Sequence, residues 1–368
     1  MDINIRHLGD ELGPAKVVLL REPRVGLDAM VVVDNVACGP AIGGVRLAAD
    51  ITVDEVARLA RAMTFKNAAA GLPHGGAKAG IAADPNLPPA QKEALVRTFA
   101  RMIRTLDEYI PGPDMGLNET AMAWIHDEIG RAVGLPRVLG GIPLDEIGAT
   151  GFGLAVAAEV AAPTIGLDLH GARLVVQGFG AVGMHAARFL CEYGGVLVAA
   201  SDSRGAIFNP AGLHVPSLVA HKRAGRPVHT FAGGTPMDSD ALIGVDCDIW
   251  VPAARPDVLT EANVPQLRTK LVLQGANIPA TVAAEEWLHA HGILTIPDFI
   301  ANAGGVICAA VEYHGGTQQQ AFEAIDEKIH TNTREMLARM AQNGLSPRQA
   351  ALELAETRVR TAMTYRRP

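Results

Sequence analysis

The sequence predicts an α/β protein of two domains, an N-terminal α/β domain and a second domain built on a doubly wound parallel sheet, with helices at the C-terminus. Three observations lead there. The chain has 368 residues, more than one ordinary hydrophobic core organises. Its composition shifts near Gly140-Gly141-Ile142-Pro143, just ahead of a long Ala-rich helix that begins around Gly151. From there to about residue 315, short apolar runs alternate with helical patterns, as strands joined by crossover helices do. The expected division is 1–145, 146–325 and 326–368.

In the first segment Val31-Val32-Val33 is strand-like. Thr52 and Glu55 form a capping box that opens a helix with Val56, Leu59, Ala60 and Met63 on one face. A second helix follows Pro88-Pro89, with Leu95, Phe99, Met102, Ile103 and Leu106 in register. In the second segment, strands are expected at 174–176, 196–200, 249–251, 271–273 and 294–296. Phe322, Ile325, Ile329, Met336 and Met340 then line one face of a long helix, which Asn343-Gly344 stops, and Ser346-Pro347 opens the next. These last helices have no strand partner and are expected to pack back on the first domain.

Behind the apolar run Leu174-Val175-Val176 stands Gly178-Phe179-Gly180-Ala181-Val182-Gly183, and a helical pattern follows it. A strand, a G-x-G-x-x-G turn and a helix make the Rossmann dinucleotide-binding unit. The first glycine allows the tight turn, the second lets the backbone approach a pyrophosphate, and the third lets helix and strand pack closely. The pyrophosphate rests on amides of the helix N-terminus. The second strand ends at Ser201-Asp202-Ser203, about 20 residues on, where an acid takes the ribose hydroxyls. NAD is the expected cofactor, because a carboxylate repels the 2′-phosphate of NADP. NADP stays possible, since Arg204 can offset that charge.

The net charge of −7 comes without a basic block, which argues against nucleic acid as a partner. The start, Met1-Asp2-Ile3-Asn4-Ile5-Arg6, has no apolar leader region. The longest apolar stretch, 299–311, is broken by Asn302 and two glycines and is too short to span a bilayer. Cys38, Cys191, Cys247 and Cys308 are scattered without C-x-x-C spacing, as reduced thiols are. A cytoplasmic enzyme without a metal, off the membrane, is expected.

Chemistry concentrates in three segments of the first domain. Met63-Thr64-Phe65-Lys66-Asn67 closes a helix, Gly75-Gly76-Ala77-Lys78-Ala79-Gly80 reads as a glycine loop carrying one lysine, and Pro111-Gly112-Pro113-Asp114-Met115-Gly116 as a constrained loop carrying one carboxylate. Lys78 in a cleft shared with Lys66 would have its pKa lowered by repulsion and desolvation, which suits a general base. Lys66 would hold a carboxylate and Asp114 would move protons at a nitrogen. On these residues alone a second reading stands level, with Lys66 solvated and Lys78 capping a phosphate.

In order and spacing, these segments resemble the glutamate/leucine/phenylalanine/valine dehydrogenase family. The likeness runs from Gly39-Pro40-Ala41-Ile42-Gly43-Gly44 to Glu312 and includes Ala149-Thr150-Gly151-Phe152-Gly153, Gln274-Gly275-Ala276-Asn277 and Asn302-Ala303-Gly304-Gly305-Val306. It implies a substrate domain and a Rossmann domain. It also implies reversible NAD(P)-dependent oxidative deamination of an amino acid to a 2-oxo acid and ammonia, with hydride passing from the substrate Cα to the nicotinamide. By the same resemblance Lys66 binds the α-carboxylate, Lys78 activates the water that attacks the imino acid, and Asp114 shuttles protons at the amino group. Thr150 touches the nicotinamide amide, Asn277 lies along the nicotinamide side with Asn302 among the cofactor residues, and Gly43 and Gly44 keep backbone near the substrate. Family members are commonly oligomers, so a homo-oligomer is expected.

Members acting on glutamate carry a lysine two residues after the G-P pair and a serine seven residues after the asparagine of N-A-G-G. Here those positions hold Ile42 and Ala309. An isoleucine leaves a buried side-chain carboxylate unpaired, at a cost of several kcal/mol. The substrate is therefore expected to be an apolar L-amino acid in a pocket of Ile42, Gly43, Met63, Gly112, Val306 and Ala309. The small Gly112 and Ala309 favour a bulky, phenylalanine- or leucine-like side chain, although Val306 pulls toward branched-chain substrates. Pro113-Asp114-Met115-Gly116 and Met122-Ala123-Trp124 look more like the glutamate enzymes, which keeps a glutamate dehydrogenase with rebuilt recognition as an alternative. Lys66, Lys78 and Asp114 standing together argue against the other alternative, an idle nucleotide-binding paralogue.

Overall fold

Alternation of side chains along five strands builds the first unit of the computed structural model, which describes residues 6–366. Residues 1–5, most of the segment read for a leader, lie outside the described residues. The unit comprises the chain up to Pro143, Val306–Ala321 and the chain from Ala355 on. Its elements run β1 (Lys16–Glu22), β2 (Leu27–Asn35), β3 (Ala41–Leu47), α1 (Val53–Ala69), β4 (Gly75–Ile81), α2 (Pro89–Met102), β5 (Tyr109–Pro113) and α3 (Glu119–Ile129). The sheet order is β1-β2-β4-β3-β5, with β3 parallel to both β4 and β5 and the β1-β2-β4 ladder antiparallel.

Ala41, Val45 and Leu47 of β3 and Ala77, Ala79 and Ile81 of β4 join Phe99 and Met122 in one core. Because successive side chains point to opposite faces, Ile42, Gly44 and Arg46, then Gly76, Lys78 and Gly80, and Gly112 of β5 occupy the other face. Helix α1 covers part of that face, with Val56 and Ala60 packed on Met30 and Val32 of β2. Thr52 caps it as expected, its side chain accepting the Glu55 amide at 3.2 Å.

Two expectations are corrected here. The glycine segment 75–80 is not a loop but the fully buried strand β4, and the first half of the 111–116 stretch, 111–113, is the end of β5 rather than a loop. Glycine disfavours strands in general, but here it is required by what lies above. A Cβ at Gly76 would stand 2.0 Å from the Thr64 backbone nitrogen, so α1 rests directly on the strand.

The second unit, Leu144–Gly305 with Phe322–Leu354, contains α4 (Leu144–Ile147), α5 (Ala149–Ala161), β6 (Arg173–Gln177), α6 (Ala181–Glu192), β7 (Val196–Asp202), β8 (Gly205–Phe208), α7 (Val215–Arg223), β9 (Thr235–Met237), β10 (Ile249–Pro252), β11 (Leu271–Leu273), α8 (Val282–Ala290), β12 (Leu294–Ile296) and α9 (Asp298–Ala301). Its sheet order is β12-β11-β10-β6-β7-β8-β9. The five predicted strands, β12 to β7, pair in parallel; β8 follows β7 in a hairpin, and β9, reached after α7, extends that edge antiparallel. The strand order reverses between β6 and β10, the switch point where such sheets bind ligands.

Three further helices follow, α10 (Gly304–Tyr313), α11 (Gln318–Asn343) and α12 (Pro347–Met363). The sequence reading sends everything after 326 back to the first domain, whereas 322–354 group with the second unit. Aromatic and glycine packing explains the difference. Phe322 of α11 meets Phe152 and Phe189 edge-on, and Ile329 fills the space that a Cβ on Gly153 would need. Beyond residue 326, only the end of α12 belongs to the first unit, where Arg358 donates to the Ala68 and Ala69 carbonyls at the end of α1.

Among the described residues no helix is long and apolar enough to cross a membrane, and no cluster of His, Cys, Asp and Glu is arranged to hold a metal ion. The contact between α1 and β4 is directly testable. Gly76→Ala should lower unfolding stability by about 3 kcal/mol or more, the upper end of overpacking costs, read from the urea midpoint at unchanged slope. A midpoint within error of the parent would show that α1 can lift off β4 at little cost.

Candidate active site

Lys78 and Asp114 meet on the face of the first sheet that carries the glycines. Lys78 lies on β4 and Asp114 just past β5, and their side chains pair at 2.7 Å (Nζ to Oδ2), the lysine 9 % exposed. The same oxygen accepts Nε of Arg46 from β3 at 3.0 Å, and a second nitrogen of that guanidinium reaches Glu55 at 2.7 Å. Gly44 makes the arrangement possible. A Cβ there would approach the Asp114 side chain to 2.9 Å and Lys78 Nζ to 3.2 Å.

Burial lowers the Lys78 pKa by penalising the ammonium; the attraction of Asp114 opposes this and Arg46, a like charge, adds to it. Burial alone would raise the Asp114 carboxyl, but Lys78 and Arg46 outweigh it and hold the group below its ordinary range. Arg46 is thus a like charge acting on Lys78 that sequence reasoning did not name. The signal was available, because Arg46 stands two residues beyond Gly44 on a strand and so shares its face.

The other expected substrate residues lie in the same unit. Met63 and Lys66 sit half-buried on the last turns of α1, and Ile42 is buried on β3. Tyr109 donates its hydroxyl to the Gly43 carbonyl at 3.0 Å, which fixes the backbone there. A Cβ on Gly112 would touch Val133 at 3.0 Å, so part of the room left by this glycine is already filled. Val306 and Ala309 lie on α10. That helix is anchored by buried Glu312, unanticipated as an anchor, which accepts the Leu135 and Ile142 amides at 3.0 and 2.8 Å.

The dinucleotide motif in the second unit shows the division of labour expected of its glycines. Gly178 has φ +95° and no room for a Cβ beside Ala254, while a Cβ on Gly183 would lie 2.0 Å from the Gly178 carbonyl oxygen. Gly180, which caps α6 without a side chain, faces open space. Phe179 is buried, with Ala181 and Val182 opening α6. A cavity of about 800 Å³ runs along the switch point and is lined by Gly178, Gly180, Asp202, Ser203 and Lys222. Gln177 Oε1, on a residue lining the cavity, and Asn302 Oδ1 are buried without a hydrogen-bond partner in the protein. These features fit a dinucleotide.

Asp202 departs from the expected open ribose ligand. Its Oδ1 accepts the Arg204 amide at 2.9 Å, while Oδ2 accepts the Val228 amide at 3.1 Å and pairs with Lys222. Burial would raise its pKa, but Lys222 and these amides hold it down. Lys222 was not anticipated, because it lies 20 residues away on α7. Thr150, Asn277 and Asn302 are gathered nearby in sequence-distant pieces. Asn302 Nδ2 donates to Asn277 Oδ1 at 3.0 Å and to the Gly275 and Ala276 carbonyls, and the absent side chain of Gly305 leaves space beside the Thr150 hydroxyl.

Comparison with known proteins accords with both units. The profile for Glutamate/Leucine/Phenylalanine/Valine dehydrogenase matches residues 140–367, and that for the Glu/Leu/Phe/Val dehydrogenase dimerisation domain matches 17–131. Glutamate dehydrogenases of Aeropyrum pernix and Thermotoga maritima are 37 % and 38 % identical, each over 90 % of this chain and over 85 % and 84 % of their own lengths. Among solved structures, the hetero-hexameric glutamate dehydrogenase of Thermus thermophilus in its Leu-bound form superposes with a TM-score of 0.85 at 31 % identity, covering 96 % of this chain and 91 % of that one. L-tryptophan dehydrogenase of Nostoc punctiforme gives 0.76 at 26 %, covering 98 % of both. With two family profiles spanning most of its length and both glycine-cleared sites in place, the chain belongs to the glutamate/leucine/phenylalanine/valine dehydrogenase family and is an NAD(P)-dependent amino-acid dehydrogenase.

Proposed function

We propose that the chain oxidises an L-amino acid with an apolar side chain to its 2-oxo acid and ammonia, reversibly, with NAD preferred and NADP accepted. The observation that carries the reading is the buried Lys78–Asp114 pair beside Arg46. Lys66 holds the α-carboxylate. Asp114, kept ionised, takes a proton from the substrate ammonium and returns one to the departing nitrogen. Lys78, its ammonium disfavoured by burial, takes a proton from the water that adds to the imino carbon. The nicotinamide, when bound, supplies the acceptor for the hydride of the substrate Cα. Amino acid, water and oxidised coenzyme thereby give 2-oxo acid, ammonium, reduced coenzyme and one proton.

Ile42, 3 % exposed on the face that carries Lys78, supports an apolar substrate. A glutamate side chain set against it would bury a charge without a partner, which costs several kcal/mol. The tryptophan enzyme among the structural relatives is a bulky-substrate precedent in this fold. Glutamate is the second reading, favoured by the names of the relatives from Aeropyrum and Thermotoga. A homo-oligomer is proposed from the match to the dimerisation-domain profile.

A panel of amino acids assayed by reduced-coenzyme formation decides between the two readings. Phenylalanine- or leucine-like substrates should give the highest kcat/KM, with valine below them, and highest activity on glutamate would refute the apolar pocket. Lys78→Ala should cut kcat at least about 10²-fold, the low end for a positioned acid–base group.

Oxidation requires neutral Lys78, so kcat/KM should climb with pH through a Lys78 pKa lying below the ordinary lysine value. Arg46→Met removes a repelling cation and leaves Asp114 to Lys78 alone, and both changes raise that pKa. The rising limb should move to higher pH by about one unit; an unmoved limb would dissociate Arg46 from the base.

For the coenzyme, Asp202 already neutralised by Lys222 repels a 2′-phosphate weakly, so the preference for NAD should be modest. Lys222→Ala should deepen it about fivefold or more, as expected when about 1 kcal/mol of pairing is lost. An unchanged NAD/NADP ratio of kcat/KM would show that this pair does not border the ribose.

A further inference from the structure

Two non-glycine residues in the described chain have positive φ, Asp257 at +52° and Ile278 at +49°. They are bonded to each other, the Asp257 amide donating to the Ile278 carbonyl at 2.9 Å. Asp257 lines the dinucleotide cavity, and Ile278 directly follows Asn277. The left-handed region is a genuine outlier for a β-branched residue and persists only where its surroundings over-determine it.

The surroundings of Ile278 are specific. Its amide donates to Asp298 Oδ2 at 2.8 Å, and Asp298 Oδ1 accepts Arg348 at 3.0 Å. Arg348, the second residue of α12, also forks onto Glu285 of α8 and donates to Gln274 Oε1 at 3.1 Å. Gln274 opens the loop, accepts the Asp298 amide at 3.0 Å and donates to Glu285 at 2.7 Å. Among the described residues Arg348 is therefore a cation shared by buried Asp298 and half-buried Glu285, which fix both ends of the loop 274–278.

We infer that Arg348 is a positioning residue for coenzyme binding, locking the loop 274–278 in its strained form through Asp298 and Gln274 although it lies on a C-terminal helix. The inference rests on the reading of that loop as part of the coenzyme site. Removing the cation leaves both carboxylates without this counter-ion, and the Asp298 oxygen that holds Ile278 no longer has a fixed place. The loop then relaxes to ordinary φ values and withdraws Asn277 from its position.

The test is a double-mutant cycle on NADH dissociation constants of the full chain, measured by fluorescence titration without amino acid. Arg348→Met should weaken NADH binding about tenfold or more, and Arg348→Lys, which keeps charge but not the fork, about threefold. Ile278→Gly removes the steric cost of positive φ, so in that background either loss should shrink to under twofold. In turnover, the KM for coenzyme should rise while that for the amino acid stays within twofold. Should Arg348→Met not fold, the Arg348→Lys cycle decides alone. Unchanged NADH binding in the arginine variants would overturn the inference, as would equal losses with and without Ile278→Gly. Absence of NADH and NADPH binding in the parent would instead refute the coenzyme reading itself, and the inference with it.

Discussion

Three neighbouring strands can bring a buried lysine together with a half-buried arginine and aspartate on one face only where the residues between them have no side chains. Gly44, Gly76 and Gly80 meet that condition in β3 and β4. Gly44 clears the volume in which Asp114 and Lys78 meet, and Gly76 lets α1 lie on the strand that holds Lys78. The local penalty for glycine in a strand is offset by what the cleared surface admits. With water largely excluded, a single Asp114 oxygen serves two cations, and each pKa in the group depends on the others. Chemistry and packing share the same residues in this unit.

The second unit solves a different problem by different means. Its cavity lies at the C-terminal ends of β6, β7 and β10, and these loops and the one after β11 are held by side-chain groups. Asn302 gathers the carbonyls of Gly275 and Ala276, and Lys222 ties Asp202 to the segment around Val228. Most of these holders are themselves hydrogen-bonded to backbone, so a rigid scaffold extends to residues that would otherwise be exposed loop.

The parallel strands of the second sheet and the glycine turn were legible because each is a local pattern, a short apolar run or a fixed spacing. Thr52 was legible for the same reason. Lys66, Lys78 and Asp114 stood out as charges among glycines, and the structure brings Lys78 and Asp114 into contact. Arg46, Lys222, Glu312 and Arg348 did not stand out, because each acts on a partner 20 to 177 residues away. Nothing in the neighbourhoods of Lys222, Glu312 and Arg348 marks them, and only the strand face shared with Gly44 marks Arg46. Strand β4 was misjudged for a related reason, since glycine's local preference points to a loop and only the helix above it explains a strand. The packing of α11 was missed because its partners lie on two helices, Phe152 and Gly153 on α5, whose apolar surface runs all round, and Phe189 on α6.

The docking of Arg358 onto the end of α1 bears on how the chain is made. The carbonyls of Ala68 and Ala69 emerge from the ribosome almost 290 residues before the guanidinium that donates to them, although Ala68 already accepts the Gly71 amide. Domains of nascent chains generally complete themselves from the N-terminus onward. Here the first unit draws on a segment made late, since Arg358 belongs to it and meets the end of α1. Until Arg358 is made, the Ala69 carbonyl on the helix that carries Lys66 lacks this donor. The last contacts at that helix end therefore form only after residues 144–305 and 322–354 of the second unit have been synthesised.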